Sequence, residues 1–213
     1  LFRRLHRAGG TVTRSNQQER TIETMENEAT IASRDLPEGV MFNAYPDSIG
    51  ERLSDVVGKI LDDTLLDAGC VELEIGEGEI VRQRSTELET LRSLRRLGVR
   101  ISLDRFGTRD VSFASLDSGY IDSFVLDRDL MADIDENDSH QRIVRAAIAM
   151  AQGLDIEVTA EGIETLSQLE FLKTANCDLA QGFLISRPIQ PEKVSAILRS
   201  EIAGTSLLAR GMP

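Results

Sequence analysis

Glu74, Asp104, Asp127 and Glu161 each stand at or just past the end of an apolar, β-rich run. The clearest case is Val99 to Asp110, reading VRISLDRFGTRD, where Val99-Arg100-Ile101-Ser102-Leu103 stops at Asp104 and a Gly107-Thr108 turn follows. An acid at the carboxyl end of a buried strand, leading into a glycine-bearing loop, is how α/β barrels place their chemistry. A single strand-end aspartate is more often a helix cap or a turn residue than a ligand. Repetition on several strands raises the signal. Alternative chemistries find little material. The two histidines, His6 and His140, lie far from any matching partner motif, so a histidine triad or a zinc centre has nothing to build on. Cys70 and Cys177 lack CxxC spacing, which suggests two small buried thiols rather than a disulfide framework or metal site.

Strands with acids at their ends need a scaffold. At 213 residues the chain suits one domain with a sizeable core, and 41% apolar with 28% charged residues fits a soluble globular class. The net charge of -12 disfavours a general nucleic-acid binder or a protein drawn to anionic membranes. No apolar run is long enough to span a bilayer and no signal peptide is visible, which places the expected site of action in the cytoplasm. The chain opens on Leu1, so it is expected to begin inside a longer protein.

Residues 1–35 read as a basic linker followed by a helical segment whose apolar stripe is Ile22, Met25 and Ala29. A barrel domain is expected over residues 36–203, with a tail over 204–213. Strands are predicted at Val40 to Asn43, Cys70 to Ile75, Val99 to Leu103, Ile121 to Leu126, Ile156 to Ala160 and Asp178 to Ala180. Helices are predicted at Ser54 to Asp67 (burying Val56, Val57, Ile60, Leu61 and Leu65), Thr86 to Leu97, Ser112 to Leu116, Ser139 to Gln152 and Thr165 to Thr174. A last one starts near Pro191. This alternation argues a parallel sheet, wound open or closed. A closed eight-stranded barrel needs two more strands, whose natural place is before Leu1.

Four segments together resemble the EAL-domain family of cyclic di-GMP phosphodiesterases. Val71-Glu72-Leu73-Glu74-Ile75-Gly76-Glu77 is similar to the family's ELEITE strand, and Leu103-Asp104-Arg105-Phe106-Gly107-Thr108-Arg109 to its LDDFGTG loop. Ala160-Glu161-Gly162-Ile163-Glu164-Thr165 with Gln168-Leu169 is close to AEGVET..QL, and Cys177-Asp178 through Gln181-Gly182-Phe183-Leu184-Ile185-Ser186-Arg187-Pro188 to CD..QGYLFSRP. The resemblance runs from about Val40 to Leu198. It implies a (β/α)8 TIM-like barrel of EAL type with its N-terminal strands missing or atypical. It also implies hydrolysis of one phosphodiester of cyclic di-GMP by a pair of Mg²⁺ or Mn²⁺ ions, and hard cations of this kind want oxygen ligands.

By the same resemblance, Asn43, Glu74 and Asp104 match metal-binding residues, an incomplete set, and Glu77 matches the acid that steadies the following loop. Glu161 and Glu164 match the two acids of AEGVE, as a remnant of the catalytic set, and Gln181 matches the glutamine near the nucleotide. Three departures follow. The segment naming the family has no match in Leu1 to Val40; the second aspartate of the DD pair is Arg105; and the lysine that helps position the attacking water is Val125. A guanidinium is no metal ligand and stays protonated. The expectation is therefore a catalytically degenerate EAL domain, a regulatory or protein-interaction module that needs no cofactor. The alternatives are an active metal-dependent phosphodiesterase and a receptor that binds cyclic di-GMP without cleaving it. In the receptor, Arg105 faces a phosphate and Gln181 the nucleotide; otherwise Arg105 pairs with Glu161 or Glu164. A homodimer or protein partner is expected through Phe113, Leu116, Leu130 and Met131, as EAL barrels commonly pair through these segments.

Overall fold

The computed structural model describes residues 40–43, 53–76, 85–107 and 119–185. Six strands carry it: β1 (Val40–Asn43), β2 (Val71–Gly76), β3 (Arg100–Phe106), β4 (Ser123–Leu126), β5 (Glu157–Glu161) and β6 (Leu179–Gln181). They follow one another in the sheet in chain order, and β3, β4, β5 and β6 pair in parallel. Between them run α1 (Leu53–Thr64), α2 (Ser85–Leu97), α3 (Arg128–Met131), α4 (Asp138–Gly153) and α5 (Leu166–Thr174). The alternation is the predicted one. The described residues fall into two compact units, one holding 74–76 and 101–185, the other 40–43, 53–73 and 85–100.

In the second of these, Leu53, Val57 and Ile60 form the buried face of α1, while Val56 and Leu61 are only half-buried. The helix stops three residues before the predicted end, because Leu65 takes a left-handed backbone, φ 56°. Its side chain is 89% exposed rather than buried. Leu91 and Leu94 supply the buried face of α2. Gly98 ends that helix at φ 92°, with Ala68 so close that an added Cβ would lie 3.3 Å from it.

The other unit is built on strands buried on both faces, as parallel strands usually are. Ile101, Leu103, Phe124, Leu126 and Val158 form one side, and the Phe106 and Phe124 rings stack with centroids 4.2 Å apart. Helix α4 lays Val144, Ala147, Ile148 and Ala151 toward β5, the i, i+3, i+4, i+7 stripe of an amphipathic helix. Asn137 caps its start by accepting from Ser139 N and His140 N. Asp133, in the turn before it, accepts from Asn137 Nδ2 and contacts His140 Nδ1, and the hydrogen bond from Asn137 lowers its carboxyl pKa below the usual value.

Two aspartates perform the same task at opposite ends of this sheet segment. Asp122 precedes β4 and accepts from Ile101 N at the head of β3, 2.9 Å; Asp178 precedes β6 and accepts from Val158 N in β5, 2.9 Å. Each satisfies a strand N–H and so ties one βα unit to the next.

Four expectations are revised. Strand β3 continues to Phe106 instead of stopping at Leu103, and the four-residue helix α3 follows β4 directly. Leu130 and Met131 are core residues, 6% and 0% exposed, so they offer no surface to a partner. Both cysteines are free but half-buried, and burial pushes the Cys177 thiol up to about 11. The predicted helices over 15–34, at Ser112 to Leu116 and after Pro191, with Phe113 and the tail, lie outside the described residues. Asp122→Ala and Asp178→Ala should each lower stability by about 1–3 kcal/mol in urea unfolding, because the strand N–H loses its charged acceptor.

Candidate functional site

The site is read along one face of the sheet. Parallel register places Ser102 beside Ser123, Ser123 beside Glu157, Val125 beside Thr159, Thr159 beside Leu179, and Glu161 beside Gln181. Because side chains alternate along a strand, these residues share a face, and Glu161 with Gln181 mark its carboxyl end. Glu74, 1% exposed, is held on β2, the neighbour of β3 in the sheet.

Asp104 and Arg105 stand where the ladder is irregular. The partners of Leu103 and Phe106 are Phe124 and Leu126, so two residues of β3 oppose Val125 alone. This is a β-bulge, with Arg105 at φ 56° absorbing the extra residue. The Arg105 side chain is 69% exposed, and its Nε lies 3.4 Å from Asp104 Oδ2. Val125, across from the bulge, is 1% exposed. One strand further, Asp127 turns its buried carboxylate back to accept from Asp129 N, 2.8 Å, capping α3.

The loop after β5 carries Glu161, Gly162, Ile163 and Glu164. Gly162, at φ 82°, lies flat against Arg128, where an added Cβ would sit 2.5 Å from Arg128 Cβ. Gly182 lies against the backbone of Ile163, whose N–H donates to Gln181 O while its carbonyl accepts from Leu184 N. Glu161 is half-buried and Glu164 exposed. Gln168 holds this loop in place: its Oε1 accepts from Glu164 N at 2.7 Å and Thr165 N at 3.0 Å, and its Nε2 donates to Met131 O at 2.9 Å.

These acids, spread over the ends of successive parallel strands, match a known family. The EAL domain model fits residues 18–188. The chain belongs to the EAL-domain family. Among curated relatives it is 37% identical over 162 residues to the cyclic di-GMP phosphodiesterase NbdA of Pseudomonas aeruginosa, covering 76% of this chain and 21% of that protein. It spans about a fifth of the length of the curated relatives it matches. Among solved structures, the EAL domain of Mycobacterium smegmatis DcpA superposes with TM-score 0.80 at 29% identity, covering 86% of this chain and 85% of that one. The manganese and cyclic di-GMP complex of Klebsiella pneumoniae BlrP1 gives TM-score 0.75 at 27% identity, over 84% of this chain and 47% of that one. The fold is thus the TIM-like α/β barrel of EAL domains, a phosphodiesterase-type module.

Asn43, Glu74 and Asp104, which match the family's metal-binding residues by resemblance, lie on β1, β2 and β3. Asn43 ends β1, and Glu77 lies outside the described residues. Among the described residues, no three His, Cys, Asp or Glu side chains gather into a group able to hold a metal ion. By resemblance, the position of the second metal's aspartate is held by Arg105, a side chain that cannot ligate a metal ion. Beneath the strand ends, the hydroxyls of Ser102 and Thr159 are buried without a hydrogen-bond partner.

Two contributions escaped the sequence reading. Gln168 acts as a clamp as well as a motif residue, and the capping-box spacing Thr165-x-x-Gln168 is the signal that points to it. The bulge has no comparable signature. Arg105 in a left-handed conformation suggests a stability test: Arg105→Gly should raise the unfolding midpoint, by about 1 kcal/mol in stability, since a Cβ is disfavoured there and an exposed ion pair is worth little. Unchanged or lowered stability would show that the strain is offset locally.

Proposed function

We propose that this EAL domain is catalytically degenerate and serves cyclic di-GMP signalling as a regulatory or protein-interaction module. The observation that supports it best is the bulge: Arg105 pairs with Asp104, directly across the ladder from the buried, apolar Val125. By resemblance, the first position is an aspartate that holds the second metal, and the facing one a lysine that positions the attacking water. Here a permanent cation sits on the remaining carboxylate and the facing position is a hydrocarbon. A divalent ion at ~4 Å from a guanidinium is repelled by several kcal/mol at a moderate effective dielectric. Glu161 and Glu164 then remain as carboxylates without the ions they would serve.

The module occupies residues 36–203 in this reading, acts in the cytoplasm and works through a second copy of itself or another protein. No described helix is long and apolar enough to cross a membrane. Its output is binding, so ordering of the site need not end in bond cleavage.

Incubation with cyclic di-GMP in Mg²⁺ or Mn²⁺, read by chromatography of the linear product, should show negligible turnover. Turnover that vanishes in Glu74→Ala would sink the proposal. The pair Arg105→Asp and Val125→Lys should restore little activity, because the family-naming glutamate is still unmatched. Stability should couple the two sites. Val125→Lys alone puts a second cation across from Arg105 and should cost more than it does in the Arg105→Asp background, in a double-mutant cycle followed by urea unfolding.

A further inference from the structure

One face of the sheet is polar inside. Parallel register and two-residue alternation put Ser102, Ser123, Val125 and Thr159 on the same side, opposite the face of Leu103, Phe124 and Val158. All four are buried. Two of them end in hydroxyls that make no hydrogen bond among the described residues, Ser102 Oγ and Thr159 Oγ1, on residues only 0% and 5% exposed. A hydroxyl buried with nothing to bond carries its full desolvation penalty. Proteins relieve that penalty at buried polar positions by admitting water.

The two hydroxyls hold equivalent places. On β3, Ile101 N donates to Asp122 of the next strand's approach, Ser102 follows, Asp104 is the acid two residues on, and Arg105 is left-handed at φ 56°. On β5, Val158 N donates to Asp178, Thr159 follows, Glu161 is the acid two residues on, and Gly162 is left-handed at φ 82°. Each of these β5 positions from Val158 to Gly162 comes 57 residues after its β3 counterpart. The same arrangement is built twice, and the hydroxyl without a partner falls at the same step of both. An accident of packing has no reason to recur there.

The neighbours on that face decide what can pair with each hydroxyl. Thr159 stands between Val125 and Leu179 across the ladder, both hydrocarbon. Glu157 and Glu161 flank it on its own strand, about 6.6–6.8 Å away along the chain. Ser102 stands beside Ser123, with Asp104 two residues on. A direct hydrogen bond spans about 3 Å, whereas two hydrogen bonds through one water span about 5–6 Å. The small side chains of Ser102, Ser123, Val125 and Thr159 leave the room that leucine or phenylalanine would fill.

We propose that Ser102 and Thr159 each hold a buried water molecule beneath the strand-end acid of their own strand, Asp104 and Glu161. Each water bonds the hydroxyl at one end and donates to the carboxylate at the other. Both waters belong to the scaffold, on the strand side of the acids, whether or not the domain cleaves cyclic di-GMP.

The test compares wild type with Thr159→Val, Thr159→Ser and Ser102→Ala, with circular dichroism confirming that each is folded. Oxygen-17 relaxation dispersion counts the waters held inside the protein for longer than it tumbles. Thr159→Val and Ser102→Ala should each lower that count by one, while Thr159→Ser, which keeps the hydroxyl, should preserve it. In urea unfolding, Thr159→Val should shift the equilibrium about 5-fold or more toward the unfolded state, because the water loses an anchor. A dry hydroxyl gives the opposite sign: exchanged for a methyl of the same shape, it leaves stability unchanged or raised and the count unaltered, and that result overturns the proposal. Asp104→Ala and Glu161→Ala examine the second anchor. Each should release one water, and an undiminished count would overturn the link to the acids. A high-resolution crystal structure of wild type needs no variant: water density within 2.7–3.2 Å of Ser102 Oγ and Thr159 Oγ1 upholds the proposal, and empty density there overturns it.

Discussion

One extra residue at the end of β3 governs the geometry around it. A regular parallel ladder would carry Asp104, Arg105 and Phe106 alternately to opposite faces in step with Val125 and Leu126. The bulge breaks that step, so Phe106 regains its place in the core opposite Leu126 while Arg105 is left in solvent. The stack of Phe106 on Phe124 depends on the shift, since a Phe106 one residue out of register would face the other side. Asp104 is thereby left at the turning point, 17% exposed, between a buried strand and an exposed cation. The strand end is thus fixed by core packing on one side, while the exposed Arg105–Asp104 pair on the other adds little.

The same logic of close backbone approach organises the next strands. Gly162 and Gly182 are positions where a side chain has nowhere to go: an added Cβ at Gly182 would lie 2.1 Å from Ile163 O. The absence of side chains lets the β5 loop be gripped by backbone hydrogen bonds from β6, and Gln168 closes it from the helix side. The loop bearing Glu161 and Glu164 is therefore held on two sides by groups that do no chemistry themselves. Such support serves a binding surface as well as a catalytic one.

What the sequence disclosed follows from which interactions are local. Alternating apolar runs and glycine punctuation located all six described strands, because burial on both faces forces continuous stretches such as Ser123 to Leu126. Strand-end acids and motif spacing singled out Glu74, Asp104, Glu161 and Gln181, which lie on β2, β3, β5 and β6. Leu65 was misread because helical periodicity continues through it, whereas its backbone turns left-handed and the helix ends. The burial of Leu130 and Met131 was equally hidden: a short apolar pair after a strand reads as surface or core until its neighbours are known. The bulge was invisible, since only the register of a distant strand, counted against Phe124 and Leu126, reveals the extra residue.

That register changes how the substitutions are understood. Read along the chain, Arg105 and Val125 are separate losses, 20 positions apart in the numbering. Read across the ladder, Val125 stands opposite the bulge to which Arg105 belongs. The family resemblance supplies an anion at the first position and a cation at the second, an arrangement in which the lysine is balanced by its neighbour. Arg105 in place of that anion would leave two cations opposed beside Asp104 if the lysine remained. With Val125 the opposition disappears, the buried position becomes apolar and satisfied, and Asp104 keeps a cationic partner from its own strand. In the reading proposed above, the two changes form one electrostatic rearrangement, with positive charge on the exposed bulge of β3 instead of the buried face of β4.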